Sequence, residues 1–492
     1  MIKTLASAAA TRNRVLWFGP PPASSVAREF ATRNLVLDFT KTTDFATASG
    51  AVFVVVDGDE GALDALQASA AAMVDNGLLL CIGAASDALQ GKVARFVKGL
   101  GGKSIFRRTA PEDHEFAERI ARHDAGPALN RGVRPELPER AEPLGSEDAL
   151  LIGRAFNDCG ALKLEGMGGL SGARVFSVHA TMGNSVGSWA RPWFAKLDRL
   201  AKIEREAENY RQVAPFIPFG LRPNIERIVR GSTRGLMVGN FVEKSEALWD
   251  VARRGHADEA IFNLFNTTLG GLRLQGLRQN AREGSVFAAM RDAGVFRTDR
   301  FRDEYRAAAS AYTAVPALEV ICDSLLARRQ IYRWGPIHGD LHADNVRVRG
   351  SDAIVIDFAS ATQGPLAADL ALLETWLAFA VHRQDMSQNY EDADWLIMIK
   401  RLYAAEAFAR PPLPAEGPMR FAWIWDSARH IRTIRLSTES SSGEYKAAVV
   451  AALLRRCMFS PSCAADKFRR ACAYIVACEL TQQLEQSLRH AA

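Results

Sequence analysis

The chain has no hydrophobic run that is long enough to cross a bilayer. Its longest apolar stretches, AVFVVV and GLLLCIG, fall far short of the roughly 18 residues that a transmembrane helix needs. The N-terminal stretch MIKTLASAAATRNRVLWF is only faintly similar to a secretory signal, because its Ala-rich part is broken by TRNR. We therefore expect a cytoplasmic protein that has no membrane partner.

Cysteine and clustered positive charge are also scarce. The seven cysteines form no CxxC pair, which argues against both a disulfide framework and a structural zinc site. The net charge of +5 is the balance of 61 basic and 56 acidic residues. Because no block of Lys and Arg stands out, we expect no nucleic-acid partner. A length of 492 residues predicts at least two domains.

The first 124 residues alternate short apolar runs with helical patterns. Five of the runs read as strands: RVLWFG (14–19), LVLDF (35–39), AVFVVVD (51–57), GLLLCIG (77–83) and KSIFRR (103–108). Continuous apolar strands separated by helices predict an α/β domain with a doubly wound parallel sheet. The layout resembles a response-regulator receiver domain, which has a flavodoxin-like sheet, and Asp57 ends the third strand where that family carries its phosphoacceptor.

The chemistry of a receiver is missing from the same region. The turn FGPPPASS after the first strand holds no carboxylate for a magnesium ion, and RRTAP stands where receivers carry Lys-Pro. Without a metal nothing would neutralise a transferred phosphoryl group, so Asp57 is interpreted as a strand-end residue. We expect residues 1–124 to be a degenerate receiver-like domain that serves docking of a protein partner or regulation. The Pro-, Gly- and charge-rich residues 125–147 are expected to be a linker.

The segment WGPIHGDLHADNVRVRGSDAIVIDFAS (334–360) concentrates polar residues beside apolar strands. It predicts a β-hairpin whose three-residue tip is Gly350-Ser351-Asp352. In that register Asn345 lies opposite Asp357, ~5 Å away, and Val346, Val348, Ile354 and Ile356 share the buried face. An amide oxygen beside a carboxylate suits a hard cation such as Mg²⁺, and Asp340 lies on the loop leading in. The alternative is that these polar residues simply cap turns, which explains any one of them but not all three together.

HGDLHADN followed by IDFAS resembles the catalytic segments of the aminoglycoside phosphotransferase and choline kinase group, which are relatives of protein kinases. The resemblance implies an α+β bilobal protein kinase-like fold, with a small lobe at 148–243 and a helical lobe at 244–492. It also implies that Asp340 is the catalytic base toward a substrate hydroxyl, and that Asn345 and Asp357 hold the Mg²⁺ ions that bridge ATP phosphates.

Two further residues of this segment have roles that the resemblance implies. Asp369, in GPLAADLALLE, would brace the catalytic loop, although a place at a helix N-terminus would equally favour an acid there. His338 is expected to orient the loop through hydrogen bonds. Ala359 replaces the glycine of the protein-kinase Asp-Phe-Gly motif, which removes backbone freedom there but keeps the carboxylate.

The sequence of the expected small lobe predicts a phosphate-covering turn and a lysine that pairs with phosphate. The stretch LKLEGMGGLSGARVFSVHA (162–180) places a glycine-rich turn between two strand-like runs, with Gly168, Gly169, Ser171 and Gly172 as candidate phosphate contacts. An ordinary hairpin turn would look similar. In the next strand-like run, RPWFAKLDR, Lys196 is the expected phosphate-pairing lysine, although a lysine on an edge strand usually reaches water.

The helix that follows, at about 199–213, offers three acids as a partner for Lys196. At 100° per residue, Leu200, Ile203, Ala207, Tyr210 and Val213 form one inward stripe. Glu206 falls within this stripe, whereas Glu204 and Glu208 point away from its centre. Because an inward carboxylate needs a buried partner, we expect Glu206 to pair with Lys196.

The sequence therefore favours an ATP- and Mg²⁺-dependent phosphotransferase that acts on a hydroxyl of a small molecule. Aminoglycoside, choline-like, sugar and amino-sugar acceptors all stay open. The second hypothesis is a nucleotide-binding regulator with negligible catalysis that signals through residues 1–124. A protein kinase ranks lowest, because ASATQGPLAADL after Asp357 is short and contains no APE-type activation segment.

Overall fold

A computed structural model of the chain describes the following residues: 14–18, 24–32, 36–39, 52–56, 79–82, 88, 91–92, 95, 105–108, 130, 132–133, 135–139, 141–167, 172–182, 190–231, 233–240, 242–382, 393–409 and 419–489. The chain divides into two compact units. One comprises residues 1–207 and 224–241, and the other comprises residues 208–223 and 242–492.

The N-terminal part of the first unit contains a five-stranded parallel sheet. Its strands are β1 (Arg14–Phe18), β2 (Val36–Phe39), β3 (Val52–Val56), β4 (Leu79–Ile82) and β5 (Ile105–Arg108), with helix α1 (Ser24–Thr32) between the first two in the chain. The spatial order is β2-β1-β3-β4-β5, an order known from doubly wound sheets. Asp57 and the turns after β1 and β5 lie outside the described residues, so the receiver-like assignment stays a prediction.

A second sheet in this unit has six strands. They are β6 (Pro135–Glu136), β7 (Cys159–Met167), β8 (Arg174–Met182), β9 (Ala190–Arg199), β10 (Ile225–Arg230) and β11 (Arg234–Asn240), in the order β10-β11-β9-β8-β7-β6. β6 pairs in parallel with β7, and the other pairs are antiparallel. Helix α2 (Ser146–Ala155) contributes Leu151 and Ile152 to the core of this sheet.

The segment that was expected to be a linker contributes to this sheet. β6 lies within residues 125–147, and Val133 is buried in the same core as Leu162 and Leu164. Leu137 and Leu144 pack against that core as half-buried side chains. Part of the segment is therefore packed rather than extended through solvent.

Helix α3 (Leu200–Val213) follows β9 directly. Ile203 and Ala207 are buried together with Met237 of β11, as the apolar periodicity predicts. The helix and the strand approach closely at Gly235, where a Cβ atom would lie 3.0 Å from the Cβ of Ile203. A larger residue at 235 would push the helix away from the sheet.

The second unit is mainly helical. Its helices are α4 (Leu248–Arg253), α5 (Asp258–Asn263), α6 (Gly270–Arg278), α7 (Val286–Asp292), α8 (Asp303–Ser310), α9 (Leu318–Ala327), α10 (Ala367–Phe379), α11 (Ala393–Leu402), α12 (Ala405–Ala409), α13 (Ala422–Arg435), α14 (Glu444–Arg456) and α15 (Ala464–Arg489). Its strands are β12 (Glu246–Ala247), β13 (Arg282–Gly284), β14 (Gln330–Tyr332), β15 (Trp334–Ile337), β16 (Val346–Arg349), β17 (Asp352–Val355) and β18 (Thr362–Pro365).

One hydrophobic core joins most of these elements. α10 and α14 lie in its centre and are buried on nearly all sides, because most of their residues are apolar. None of the described helices combines the length and the apolar character that a membrane crossing requires.

Candidate active site

The segment that is expected to be the catalytic loop begins where β15 ends, and the chain changes direction at Gly339. Gly339 has φ +75°, and a Cβ atom there would lie 2.3 Å from the backbone oxygen of Ser360. Only glycine fits this left-handed position without displacing the neighbouring chain. Asp369, in the first turn of α10, accepts hydrogen bonds from the N–H groups of His338 (2.8 Å) and Gly339 (2.9 Å). The loop is thus tied to the start of α10.

The Asp369 carboxyl is buried, which disfavours its charged form. Burial raises the pKa of Asp369 above its usual value, and the nearby His338 ring and the two N–H donors only partly oppose this shift. Both expectations for Asp369 are compatible with this geometry, since it lies at a helix N-terminus and also contacts the loop.

His338 contacts the chain that carries Asp357. Its side chain is buried, its Nε2 lies 3.1 Å from the backbone oxygen of Ile356, and its ring packs 5.6 Å from the ring of Phe358. These contacts connect the two halves of the sequence motif through an imidazole ring. They are compatible with the orienting role expected of His338, which stays a prediction.

The hairpin exists, but the register expected for it is wrong by one residue. The turn is the two-residue Gly350-Ser351, and Asp352 pairs with Arg349 instead of lying in the tip. Gly350 has φ +63°, the left-handed conformation that a two-residue hairpin turn needs at its first central position. A one-residue shift exchanges the faces of one strand. The large core cluster therefore receives Ala353 and Val355 opposite Val348 and Val346. Ile354 is also buried, as expected, although it lies outside that cluster, and Ile356 is half-buried.

As a consequence, Asn345 lies opposite Ile356 rather than Asp357. The N–H of Ile356 donates to the backbone oxygen of Asn345 at 2.9 Å. Asp357 follows with φ +62°, a conformation rare for a residue with a side chain. Its Oδ1 accepts a hydrogen bond from the N–H of Ala359 at 3.3 Å. A sharp bend at Asp357, rather than direct cross-strand pairing, sets the direction of its carboxylate.

The amide of Asn345 is oriented by the loop itself. Its Nδ2 donates to the backbone oxygen of Asp340 at 3.0 Å, and the residue is buried. This leaves the amide Oδ1 as the atom that can accept a cation. An amide oxygen and a carboxylate are ligands that Mg²⁺ accepts.

Asn345 and Asp357 suit a Mg²⁺ ion that takes its other ligands from phosphate and water. Among the described residues, no cluster of three or more His, Cys, Asp or Glu side chains forms a metal site. Mg²⁺ is commonly held by one or two protein ligands together with substrate phosphates and waters. Asn345 and Asp357 fit that kind of site, and Mg²⁺ there would neutralise phosphate charge.

Asp340 forms an ion pair that the sequence did not predict. Nη2 of Arg455, in the last turn of α14, donates to Oδ1 of Asp340 at 2.6 Å. Burial of Asp340 favours the neutral acid, but Arg455 and the nearby His342 and His338 outweigh it, so the pKa of Asp340 is lowered. The sequence signal is a pair of arginines at the end of an apolar stretch, AAVVAALLRR. That pattern by itself is typical of core packing.

Asn209 is a second residue that sequence reasoning missed. Its Nδ2 donates to the backbone oxygens of Phe358 (3.3 Å) and Ala359 (3.0 Å). The ring of the next residue, Tyr210, packs 5.6 Å from the ring of Phe358. The end of α3 thereby fixes the backbone just after Asp357. Only the place of Asn209 one turn beyond Glu206 could have drawn attention to it.

In the first unit, the structure brings Lys196 and Glu206 together. Nζ of Lys196 lies 2.8 Å from Oε2 of Glu206, and both side chains are buried. β9, which carries Lys196, is an interior strand, so this lysine does not reach water at a sheet edge. Of the other two acids, Glu204 pairs with Arg230 at 3.0 Å, and the exposed Glu208 pairs with Arg211.

The glycine-rich turn is described only in part. β7 and β8 are antiparallel, and their last described pair is Met167 with Val175. Gly172 has φ +74° and is exposed, and a Cβ atom added there would meet nothing within 4 Å. Gly168, Gly169 and Ser171 lie outside the described residues.

Comparisons with known proteins give one partial family match. A family model described as "Ternary complex associated domain 9" matches residues 316–456, less than a third of the chain. No curated protein matches the chain. None of these comparisons supports a receiver domain in residues 1–124.

Several solved structures are similar to this chain at low identity. An amicoumacin kinase in complex with AMP-PNP is 11% identical, with a TM-score of 0.36, and the alignment covers 65% of this chain and 88% of that one. An aminoglycoside phosphotransferase from Streptomyces rimosus is 18% identical over 57% and 96%, with a TM-score of 0.30. A choline kinase from Cryptosporidium parvum is 9% identical over 67% and 91%, with a TM-score of 0.34. Because the TM-scores lie below 0.5, a function for this chain has to rest on its own residues.

Proposed function

We propose that residues 148–492 form a protein kinase-like phosphotransferase that moves the γ-phosphoryl group of ATP to a hydroxyl of a small molecule. The observation that carries the proposal is the loop around Asp340. Its backbone is held by Asp369 at one end and by the amide of Asn345 at the other. Protein kinases use an Asp and an Asn at this spacing, as base and metal ligand.

In this proposal Asp340 orients the acceptor hydroxyl and takes its proton on Oδ2. The acceptor oxygen forms a bond to the γ-phosphorus, the bond from that phosphorus to the β–γ bridging oxygen breaks, and ADP leaves. Asn345 and Asp357 would hold Mg²⁺, which supplies positive charge along the phosphates when it is bound.

The roles proposed for the first unit follow from the buried Lys196–Glu206 pair. Protein kinases pair a lysine of the third strand with a glutamate of the following helix, and that lysine holds the α- and β-phosphates. Lys196 would hold these phosphates here, and Glu206 would keep its ammonium in place. Gly168, Gly169, Ser171 and Gly172 are proposed to cover the phosphates through backbone N–H groups.

The test is ADP release by the full chain with ATP, MgCl₂ and a panel of aminoglycosides, amino alcohols, sugars and amino sugars. We expect at least one acceptor to raise ADP release well above the rate without acceptor. Asp340→Asn should lower that rate by about 10³-fold. Asp352→Asn, at an exposed position in the first residue of β17, is the control and should keep the full rate.

Two outcomes would contradict the proposal. One is acceptor-dependent turnover that is unchanged in Asp340→Asn. The other is binding of ATP and Mg²⁺ in a thermal-shift titration without turnover on any acceptor, which would favour the nucleotide-binding regulator.

A further inference from the structure

The end of α14 contributes an arginine to the candidate catalytic loop. Arg455 uses two donors: Nη2 donates to Oδ1 of Asp340 at 2.6 Å, and Nη1 donates to the backbone oxygen of Val295 at 2.6 Å. Two acceptors on different elements fix both the place and the plane of the guanidinium group. The helix itself cannot shift easily, because Ala451 and Leu454 are fully buried.

The ion pair restrains one carboxylate oxygen of Asp340, Oδ1, and does not engage the other, Oδ2. Within the described residues, Oδ2 of Asp340 accepts no hydrogen bond from the protein. The side chain of Asp340 is 37% exposed, whereas that of Arg455 is 13% exposed. The arginine thus restrains Oδ1, and Oδ2 stays available to accept a hydrogen bond from an acceptor hydroxyl.

We propose that Arg455 is a positioning residue for phosphoryl transfer. It fixes the side chain of Asp340 so that Oδ2 faces the acceptor hydroxyl. The inference rests on the proposed function and adds a residue of the C-terminal helices to it. Arg455 exchanges no proton and forms no bond in the step; it acts through Asp340. A carboxylate that could rotate about its side-chain bonds would spend less time aligned with the acceptor. Misplacement by about 1 Å can cost about 10²-fold in rate.

A second ion pair in the same unit provides a matched control. Nη2 of Arg470 lies 3.0 Å from Oδ2 of Asp466, and the Arg470 side chain is 12% exposed, almost the same as Arg455. Arg470 also donates to the backbone oxygen of Arg456. Its described hydrogen bonds reach no residue of the catalytic loop. Arg455→Met and Arg470→Met therefore remove comparable ion pairs, and only the first touches Asp340.

The experiment compares these variants in the full chain, with ATP, MgCl₂ and the acceptor that supports turnover in the wild type. We expect Arg455→Met to lower kcat by about 10²-fold while the KM for ATP changes less than about twofold. Arg470→Met should keep kcat within about threefold of the wild type. Arg455→Lys should recover about tenfold over Arg455→Met, because an ammonium can donate to Asp340 but cannot also hold Val295 in the same plane.

A double variant separates positioning from a merely structural role. If Arg455 acts through Asp340, then Asp340→Asn/Arg455→Met will have the same kcat as Asp340→Asn alone. A structural role predicts a further loss in the double variant. Should Arg455→Met fail to fold by circular dichroism, Arg455→Lys takes its place, and an unchanged kcat there overturns the inference.

The failures of this inference and of the proposed function are distinct. Wild-type turnover that persists in folded Arg455→Met, or that falls equally in Arg470→Met, overturns the role of Arg455 alone. No turnover by the wild type with any acceptor overturns the proposed function and this inference together.

Discussion

Lys196 and Glu206 form a buried ion pair, with Nζ and Oε2 2.8 Å apart. The pair joins the interior strand β9 to helix α3. A buried charge is stable only with a partner of opposite sign, and loss of one partner of such a pair typically costs about 3–5 kcal/mol.

We expect Glu206→Gln to lower the free energy of unfolding by about 3 kcal/mol, because the substitution removes the negative charge that faces Lys196. It should also weaken ATP binding, since the lysine would no longer be held in one position. Urea unfolding and ATP titration measure the two effects. Glu204→Gln is the control: its pair with Arg230 is more exposed, so the change should cost less than about 1 kcal/mol. Equal effects of the two substitutions would contradict the assignment.

Gly339→Ala should be much more damaging than Gly350→Ala. Both glycines have positive φ, but a Cβ atom at 339 would lie 2.3 Å from the oxygen of Ser360, whereas one at 350 would meet nothing within 4 Å. The conformational cost alone is about 1–2 kcal/mol, and Gly339→Ala adds a displacement of the loop around Asp340. The midpoint temperature of thermal unfolding and the rate of ADP release should both fall for Gly339→Ala, while Gly350→Ala should keep full activity. Similar loss of activity in both variants would contradict this account of the loop.

Arg432 and Glu374 form a fully buried ion pair, so substitutions at these two positions should have strongly coupled effects on stability. Nε and Nη2 of Arg432 donate to Glu374 at 2.9 and 2.7 Å, and the hydroxyl of Tyr445 donates to the same carboxylate at 2.7 Å. Arg432→Met should cost about 3–5 kcal/mol, because Glu374 would keep a buried charge. Arg432→Met/Glu374→Leu should cost less than the sum of the two single variants by more than about 1 kcal/mol. Additive effects in urea unfolding would contradict the coupling.

Glu444 predicts a pH dependence of stability. Burial raises the pKa of Glu444 from 4.5 to about 7, and the N–H of Ser440 and other backbone donors only partly oppose it. The folded state therefore holds this proton more tightly than the unfolded state. Its contribution to stability is fully present below pH 4.5 and is lost as the pH rises through 7.

We expect Glu444→Gln to remove this dependence. Between pH 5 and pH 8 the wild type should lose about 2–3 kcal/mol of unfolding free energy through this group. Gln keeps an oxygen for the N–H of Ser440 and has no charge to desolvate. Urea unfolding at both pH values measures the difference between the variant and the wild type. A pH dependence that is equal in both proteins would contradict the role of Glu444.

Sequence patterns predicted the local features of the candidate site well. The helical period placed Glu206 inward and Glu204 and Glu208 outward, because one turn of helix decides which side chains face the sheet. The order of apolar runs predicted the strands β1 to β5. Such features depend on residues only a few positions apart.

Features that depend on turn geometry or on distant residues were not predictable in the same way. The Gly350-Ser351-Asp352 stretch is compatible with turns of two or three residues, and the choice between them shifts the register. The contact of Arg455 with Asp340 spans 115 positions. Its formation depends on how α14 packs, which no local period encodes.

The most direct test of the central claim is ³¹P NMR of the full chain with ATP, MgCl₂ and the acceptor panel. The account predicts a new phosphomonoester resonance that grows as ADP forms, and its loss in Asp340→Asn. Growth of inorganic phosphate alone, or a phosphomonoester signal that Asp340→Asn leaves unchanged, would contradict it.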